Sequence, residues 1–428
     1  MISVEDVKII IKEQEERMKE LFSEERIIGR ELTIGKDSII PGAANIITGP
    51  RRSGKSILAY QLAWRENFGY INFDDERLSL SANELNKVIE AMYSLKGDIK
   101  LIIFDEIQEI PGWEKFISRL VSSKRLLITG SNARMMSKEL STYMTGRHID
   151  HELLPFSFRE FLKFKGFKTN IQNVYTTEEK SRILSFLTAY LALGGFPLGI
   201  KSGTIYLSDL YTDIIQRDIV QRHKIKMKSK ISELARYLIS NSSSEITYSR
   251  LRRILGVASK HTIQDWIEYM EQAYLLFEIE RFSFKLKEAI IAPKKIYAID
   301  TGFINLISAE KSTGRLMESL VAIELKRRNC YFWGGRRQLN YWKSHSQKEA
   351  DFVIREGRKV LEILQVTYVS KESDIKDREL KNLISASADL RCKNISVITW
   401  DYEKETKLKG KAIKFMPLWR WLLDYGAE

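Results

Sequence analysis

The sequence predicts an α/β fold in which a parallel sheet is covered by helices on both faces. Short apolar runs with strand character occur at residues 46–47, 70–73, 101–104 and 126–129, and helical stretches separate them. Continuous apolar strands that alternate with helices are typical of a parallel sheet buried on both sides. A glycine-rich loop directly follows the first of these strands. These observations place a sheet domain in the first third of the chain.

The length and composition predict several folded domains. With 428 residues the chain exceeds one ordinary core, and 44% of the residues are hydrophobic, so each domain can bury a core of its own. The sheet pattern, preceded by an amphipathic helix over residues 1–28, gives way to a helical pattern near residue 155. We predict the sheet domain over residues 1–155, a helical extension over 156–223, a winged helix-turn-helix over 224–299 and a second α/β domain over 300–428.

The glycine-rich loop has the spacing G-x-x-x-x-G-K-S, which is that of a phosphate-binding loop (P-loop) of NTPases. Its glycines allow backbone N–H groups to turn toward phosphate oxygens beside a helix N-terminus, where negative charge is favoured. We expect Lys55 to reach the β- and γ-phosphates of a nucleoside triphosphate and the Ser56 hydroxyl to ligate Mg²⁺. The predicted nucleotide-binding residues are Gly49, Pro50, Arg51, Arg52, Ser53, Gly54, Lys55 and Ser56, together with Asp105.

Two adjacent carboxylates, Asp105 and Glu106, end the apolar strand at residues 101–104. About 50 residues after a phosphate loop, such a strand brings its acids toward the metal and the attacking water. We therefore predict that Asp105 joins Ser56 in holding Mg²⁺ and that Glu106 polarises the water.

Two further catalytic candidates leave alternatives open. Asn132 follows the strand at residues 126–129 and is predicted to touch the γ-phosphate or the water, with Ser131 a close alternative and ordinary turn chemistry a third reading. Arg147 is predicted to stabilise transition-state charge as an arginine finger for a neighbouring subunit, which would make the protein a homo-oligomer. Arg217 is its rival for that role, although a lone arginine is more often a surface residue.

Taken together, these motifs resemble those of the prokaryotic AAA+-like ATPases that are widespread in archaea and carry a C-terminal domain of unassigned function. The resemblance covers nearly the whole chain and implies ATP, with ADP as product, as the nucleotide; the phosphate loop alone does not separate ATP from GTP. Its motifs lie at residues 49–56, 70–78, 105–108, 129–132, 152–161, 194–197 and 295–300.

A basic segment follows the helical extension. Residues 224–297 contain fourteen lysines and arginines against eight acids, and the whole chain carries a net charge of +13. Three helices followed by two β-like runs, at 274–279 and 290–297, are the layout of a winged helix-turn-helix. We expect its basic surface to contact DNA, with a packing module inside the ATPase as the alternative. The polar candidates are Arg250, Arg252, Arg253, Lys260, His261, Thr262 and Gln264, and the expected core is Ile263, Trp266, Ile267 and Met270.

The C-terminal region resembles PD-(D/E)xK nucleases, which hold Mg²⁺ between a helix Glu, a strand Asp and an acid-x-Lys strand. Glu318 and Asp351 match the first two positions. Gln365 and Thr367 stand where the second acid and the lysine are expected, and an amide is a weaker ligand for a hard cation. Glu362 is an odd number of residues from Gln365 and points to the other face of its strand. We predict a nuclease-like fold whose active site is lost.

Two cysteines, Cys330 and Cys392, provide neither a disulfide framework nor a metal pattern, so we expect a reducing, cytoplasmic location. The first residues carry acids where a signal peptide carries positive charge, and no apolar run has the roughly 20 residues of a membrane span, so no membrane partner is expected.

The leading hypothesis is a Mg²⁺-dependent ATPase that couples its nucleotide state to a partner, most plausibly DNA. The alternative is a slow ATP-dependent switch that scaffolds a protein partner without processing DNA. A third reading, an active nuclease with an ATPase motor, is disfavoured by Gln365 and Thr367.

Overall fold

The computed structural model describes residues 2–132, 146–167, 176–310 and 312–424. The chain divides into two compact units. The first comprises Met1–Pro155 with Gln272–Tyr274, and the second comprises Phe156–Glu271 with Leu275–Glu428.

The first unit alternates strands and helices. Among its described residues the helices are α1 (Val4–Glu24), α2 (Lys55–Ala63), α3 (Leu85–Lys96) and α4 (Trp113–Leu120), and the strands are β1 (Ala44–Thr48), β2 (Phe68–Asn72), β3 (Leu101–Asp105), β4 (Arg125–Gly130) and β5 (His148–Glu152). Short 3₁₀ turns lie at Lys36–Ser38, Ala82–Glu84 and Ile107–Glu109.

The five strands form one parallel sheet in the order β2-β3-β4-β1-β5. Apolar side chains from one face of the sheet share a core with α1, α3 and α4, while α2 contacts β1, β3 and β4. Because the strands are parallel, the loops that follow β1, β3 and β4 all leave the sheet at the carboxyl ends of the strands. This end of the sheet carries the phosphate loop and the Asp105-Glu106 pair.

The strands predicted at 46–47, 70–73, 101–104 and 126–129 are present as β1 to β4, and the N-terminal helix is present as α1. Ser3 begins α1 with a capping box, in which its hydroxyl accepts the N–H of Asp6. Strand β5 was not predicted, because its sequence His-Ile-Asp-His-Glu lacks an apolar run and its side chains are partly or fully exposed at the sheet edge.

The remainder of the chain begins with helices. They are α5 (Phe158–Phe164), α6 (Thr177–Leu193), α7 (Pro197–Ser202), α8 (Thr204–Asp213), a π-helical segment (Ile214–Gln221), α9 (Lys228–Ser240), α10 (Tyr248–Leu255), α11 (Lys260–Gln272), α12 (Leu286–Ile291), α13 (Thr301–Ile307), α14 (Thr313–Tyr331), α15 (Asp377–Asp389) and α16 (Leu418–Leu423). No helix within the described ranges combines the length and the apolar character that crossing a membrane requires.

The strands of this unit form one nine-stranded mixed sheet. They are β6 (Ser244–Ile246), β7 (Leu276–Arg281), β8 (Lys294–Ala298), β9 (Gln338–Lys343), β10 (Glu349–Glu356), β11 (Lys359–Thr367), β12 (Ile395–Thr399), β13 (Lys404–Leu408) and β14 (Lys411–Pro417). Their order is β13-β14-β12-β11-β10-β9-β7-β8-β6. Strand β7 pairs in parallel with β9. Strands from before and after residue 300, the predicted domain boundary, therefore belong to one sheet.

The three helices expected in the basic segment are present as α9, α10 and α11. The second β-like run, predicted over 290–297, needs correction, because residues 286–291 form helix α12 and the strand begins at Lys294. An exposed apolar stretch was mistaken for a strand there. Pro293, which lacks an N–H, lies between the helix and the strand.

Candidate functional site

The phosphate loop joins the buried central strand β1 to helix α2, and its backbone needs glycine at two points. Gly49 has φ 149°, and a Cβ added there would lie 2.1 Å from the carbonyl oxygen of Leu153. Gly54 has φ 96° at the residue before α2. The tight backbone is thus enforced by close packing as well as by left-handed conformations.

Lys55 begins α2 and is 3% exposed. Its Nζ donates to the carbonyl oxygens of Gly49 at 3.2 Å and Pro50 at 3.0 Å, and lies 3.6 Å from Oε1 of Glu106. The ammonium therefore lies within the loop and beside the acid predicted to polarise water. This is the position from which a cation can stabilise phosphate charge.

Asp105 ends β3 and is fully buried. Three hydroxyl groups donate to its carboxylate: Ser56 Oγ at 2.9 Å, Tyr70 OH at 2.9 Å, and Thr129 Oγ1. Burial, followed by the neighbouring charge of Glu106, raises the pKa of Asp105, and the three hydroxyl groups oppose that rise. The predicted metal ligands, Ser56 and Asp105, are thus in direct contact.

Glu106 has a left-handed backbone, with φ 53°, which turns it away from the strand direction. Its N–H donates to Thr129 Oγ1 at 3.1 Å, and its Oε2 accepts from Gln108 Nε2 and from the N–H of Ser131 at 3.2 Å. Burial acts to raise the pKa of Glu106, but Lys55 and Gln108, with help from Arg51, hold it below its ordinary value. The group is therefore a fixed carboxylate, as a residue that orients water must be.

Asn132 and Ser131 follow β4, which lies between β1 and β3 in the sheet. Both are buried, at the same edge as the phosphate loop. The backbone N–H of Ser131, the alternative to Asn132 in the sequence prediction, donates to Glu106 Oε2. The structure thus brings both candidates to the site, and their roles stay predictions.

The two candidate arginine fingers are Arg147 of the first unit and Arg217 of the second. Arg147 precedes β5, and its carbonyl oxygen accepts the N–H of Ala44 at the start of β1. It therefore lies at the amino ends of these strands, whereas the phosphate loop lies at the carboxyl ends. Its guanidinium donates to the Ser118 hydroxyl at 2.8 Å. Arg217 belongs to the π-helical segment, is 59% exposed and lies 3.8 Å from Asp213. The role of either arginine in a neighbouring subunit stays a prediction.

Sequence reasoning missed the residues that hold this site in shape. Thr129 joins Asp105 to the backbone of Glu106, and Tyr70 holds the other oxygen of Asp105. Arg30 donates to the carbonyl oxygens of Ser53 at 2.8 Å and Leu154 at 2.6 Å, which ties the phosphate loop to the segment after β5. A polar residue at the tip of an apolar strand was the available signal for Thr129; Arg30 has no sequence signal.

The side chains at this edge fit a magnesium–nucleotide complex. A hydroxyl and a carboxylate oxygen are the hard ligands that Mg²⁺ takes from proteins, which commonly supply one or two of them and leave the rest to phosphate and water. The hydroxyls of Ser53 and Ser131 are buried and have no hydrogen-bond partner within the described part of the chain. These groups would meet phosphate oxygens as ready donors.

The C-terminal candidates are also brought together. Asp351 Oδ2 accepts from Gln365 Nε2 at 2.6 Å and from the N–H of Val366 at 2.9 Å, and its Oδ1 lies 3.4 Å from Lys295 Nζ. Glu318 lies 2.9 Å from the same ammonium. Glu362 instead accepts from Ser396 at 3.0 Å. Lys295 had not been singled out as a site residue.

The basic face of α10 and α11 is exposed. Ile263, Trp266, Ile267 and Met270 are buried, as the helical spacing predicted. Within the described residues, the exposed cations of this face form no ion pair with a carboxylate; they are Arg250, Arg252, Arg253 and Lys260, with the exposed His261 beside them.

Three family models match this chain. A family model described as an AAA domain matches residues 42–162, and models of two domains of unknown function, DUF8612 and DUF4143, match residues 185–313 and 313–421. An uncharacterized protein of Haemophilus influenzae is 26% identical over 87% of this chain and 93% of its own length. The solved structure of the Walker-type ATPase PABY2304 of Pyrococcus abyssi is 14% identical, with a TM-score of 0.42, over 71% of this chain and 96% of that one.

The uncharacterized protein MJ1544 of Methanocaldococcus jannaschii is 34% identical, and the alignment covers 99% of this chain and 97% of MJ1544. The chain therefore belongs to the family of MJ1544 and carries an AAA domain over residues 42–162.

Proposed function

We propose that this protein binds Mg²⁺–ATP at residues 49–56 and hydrolyses it to ADP and phosphate. The observation that carries the proposal is the meeting of Lys55, Ser56, Asp105 and Glu106 at one edge of the parallel sheet. Each of the four has the chemistry that phosphoryl transfer needs at that place.

The residue roles follow from these contacts. Lys55 binds the β- and γ-phosphates, Ser56 and Asp105 hold Mg²⁺, and Glu106 orients the attacking water. When bound, the metal neutralises phosphate charge and polarises the phosphoryl group. Asn132, with Ser131 as the alternative, contacts the γ-phosphate or the attacking water in this proposal. ATP rather than GTP follows from the family resemblance.

Calorimetry and turnover measurements test this proposal separately for binding and chemistry. Lys55→Ala should weaken Mg²⁺–ATP binding, since the loop loses its buried ammonium, whereas Glu106→Gln should retain binding and stop turnover. Lys100→Ala, at an exposed lysine before β3, is the control and should behave as wild type. GTP titrated in parallel checks the choice of base. If Glu106→Gln hydrolysed ATP at the wild-type rate, the role given to Glu106 would be wrong.

We further propose that the second unit couples the nucleotide state to DNA through the basic face of α10 and α11. The order α9-β6-α10-α11-β7-β8, with β8 paired antiparallel to both β6 and β7, supports a winged helix-turn-helix. In the part of the chain that the structure describes, the exposed cations of this face have no carboxylate partners, which supports a phosphate-binding surface.

Fluorescence anisotropy with duplex and branched DNA over a salt series tests this coupling, together with ATP turnover with and without each DNA. Salt-dependent binding and DNA-stimulated turnover are expected. Absence of binding at low ionic strength would remove DNA as the partner. Weak basal turnover combined with nucleotide-dependent association with a protein would instead favour the switch that scaffolds a protein partner. Sedimentation in the presence of ATP tests the expected homo-oligomer.

A further inference from the structure

The second unit contains a buried charge centre built around one ammonium. We call Lys295, Glu318, Glu349 and Asp351 the Lys295 cluster. Lys295 Nζ lies 2.6 Å from Glu349 Oε1, 2.9 Å from Glu318 Oε1 and 3.4 Å from Asp351 Oδ1. The lysine side chain is 4% exposed. Three carboxylates from α14 and β10 thus converge on a single cation that β8 supplies.

The acids of the cluster also have fixed neutral donors. Tyr297 OH donates to Glu318 Oε1 at 2.8 Å, and Gln365 Nε2 donates to Asp351 Oδ2 at 2.6 Å. The N–H of Val366 donates to the same oxygen of Asp351 at 2.9 Å. The residue that replaces the expected second acid is therefore a hydrogen-bond donor to Asp351. Gln365 thus donates a hydrogen bond to the carboxylate, whereas an acid at this position would add a negative charge.

The ammonium keeps its proton in this environment. Burial acts to lower the pKa of Lys295, but the carboxylates of Glu318, Asp351 and Glu349 outweigh burial and hold it above its ordinary value. A second cation, Lys343 Nζ, lies 3.9 Å from Glu349 Oε2 and 2.7 Å from Glu245. Taking charges out of water is costly unless they are paired, and the cluster provides that pairing.

The resemblance to PD-(D/E)xK nucleases implies Mg²⁺ between Glu318 and Asp351, and the side chains do not fit it. Mg²⁺ requires oxygen ligands at about 2.0–2.1 Å in octahedral geometry, with the ligand oxygens free to face it. Here Glu318 Oε1 and Asp351 Oδ1 pair with the Lys295 ammonium, and Asp351 Oδ2 accepts from Gln365 and Val366, so these oxygens are not free to face a divalent ion. Within the described ranges, no group of three His, Cys, Asp or Glu side chains is arranged to hold a metal.

We propose that the Lys295 ammonium takes the place of a divalent cation in this centre. The C-terminal fold is then stabilised by a permanent internal cation that links β8 to α14 and β10. The second unit needs no metal, and any magnesium requirement of the protein resides in the phosphate loop. This inference is independent of the proposed ATPase, since it concerns nucleotide-free protein.

The first experiment uses the wild-type, full-length, nucleotide-free protein with Mn²⁺ as the probe. Thermal unfolding in EDTA and in Mn²⁺ should give the same midpoint for the second unit. Electron paramagnetic resonance should detect the same amount of bound Mn²⁺ in the wild type and in Asp351→Asn, because the cluster provides no metal site. A midpoint that Mn²⁺ raises in the wild type but not in Asp351→Asn would overturn the proposal.

The second experiment removes the cation. In Lys295→Met the three acids lose their counter-ion, and the unfolding midpoint in EDTA should fall by roughly 6 °C or more. Lys294→Met is the matched control, because the adjacent Lys294 pairs with Glu278 outside the cluster, at 2.8 Å, and is partly exposed. The double variant Lys295→Met/Glu318→Gln should recover part of the loss, since it removes one unbalanced charge.

A midpoint of thermal unfolding for Lys295→Met equal to that of the wild type would contradict the proposal. A loss no greater than that of Lys294→Met would do the same. If Lys295→Met does not fold, the wild-type comparison in EDTA and Mn²⁺ decides alone.

Discussion

Asp300 Oδ2 accepts the backbone N–H of Gly195 at 2.7 Å, a contact that joins residues 105 positions apart in the chain. A Cβ at the preceding Gly194 would lie 1.7 Å from Asp300 Oδ1, which itself accepts the N–H of Gly302 at 2.8 Å. The two motifs at residues 194–197 and 295–300, which the family resemblance singled out, thus form one structural unit. They fix the end of α6 against the start of α13.

This contact predicts that Gly194→Ala is strongly destabilising. Gly194 and Gly203 both end helices with nearly the same backbone, at φ 73° and 76°, but nothing lies within 4 Å of a Cβ at Gly203. Gly203→Ala should cost only the backbone strain, about 1–3 kcal/mol. Gly194→Ala should cost roughly 2 kcal/mol more, because Asp300 must move. Urea unfolding of both variants measures the difference, and equal losses would contradict the clash.

Asp300 also predicts a pH dependence of stability. Burial raises the pKa of Asp300 to about 7, against the opposing N–H donors of Gly195 and Gly302. Between the unfolded value near 3.8 and about 7 the folded state retains a proton that the unfolded state has lost, so stability falls as pH rises through this window. The total loss in the free energy of unfolding is on the order of 4 kcal/mol. No loss occurs below this pH window, and above it the loss stays constant.

Asp300→Asn removes this titration while keeping one acceptor. It should be less stable than wild type at pH 5, where the acid is protonated in the folded state, and the gap should narrow as the pH approaches 8. The free energy of unfolding measured for both proteins across this range checks the expectation. A gap that stays constant, or widens with pH, would show that Asp300 does not titrate in the folded protein.

Local sequence patterns were sufficient for the sheet of the first unit and insufficient at its edge. Strands β1 to β4 are apolar because helices cover both faces of the sheet, so composition alone reveals them. Strand β5 lies at the edge and is polar, and its pairing with β1 depends on a partner about 100 residues away. Residues 290–291, the end of helix α12, were wrongly assigned to a strand for the opposite reason, since Ile290 and Ile291 are apolar but exposed and say little about burial.

The same distinction holds for the candidate site. Residues 49–56 and 105–106 are contiguous motifs, and the spacing within them predicts their geometry. The contacts of Asp105 with Tyr70 and Thr129 cross between strands and depend on sheet register. Lys295 meets Glu318 and Asp351 only because β8, α14 and β10 pack together, and no sequence pattern within β11 indicates that contact.

Thr129→Val should impair catalysis without disrupting the phosphate loop. The change removes the hydroxyl that donates to Asp105 and accepts the N–H of Glu106. Hydrogen bonds to charged groups contribute about 1.5–3 kcal/mol, so turnover should fall roughly 10- to 100-fold. The Mg²⁺ concentration for half-maximal activity should rise, because loss of a donor raises the pKa of Asp105 further.

Tyr70→Phe is the matched comparison, since it removes a donor to Asp105 and leaves the backbone of Glu106 in place. It should raise the Mg²⁺ requirement with a smaller loss of turnover at saturating metal. Steady-state kinetics over a magnesium series separates the two variants. Identical profiles would mean that Thr129 acts only through Asp105.

The basic face predicts a measurable change in salt dependence. Arg252 and Arg253 are exposed on α10, and neutralising each phosphate contributes about −0.9 to the slope of log affinity against log salt. Arg252→Gln/Arg253→Gln should therefore weaken DNA binding and make that slope shallower by roughly 1–2. Arg378→Gln/Lys381→Gln, at exposed cations of α15, removes the same charge elsewhere and tests whether net charge alone matters. Equal losses in both pairs would point to diffuse attraction by a basic protein, whereas a change confined to α10 locates the DNA contact on this face.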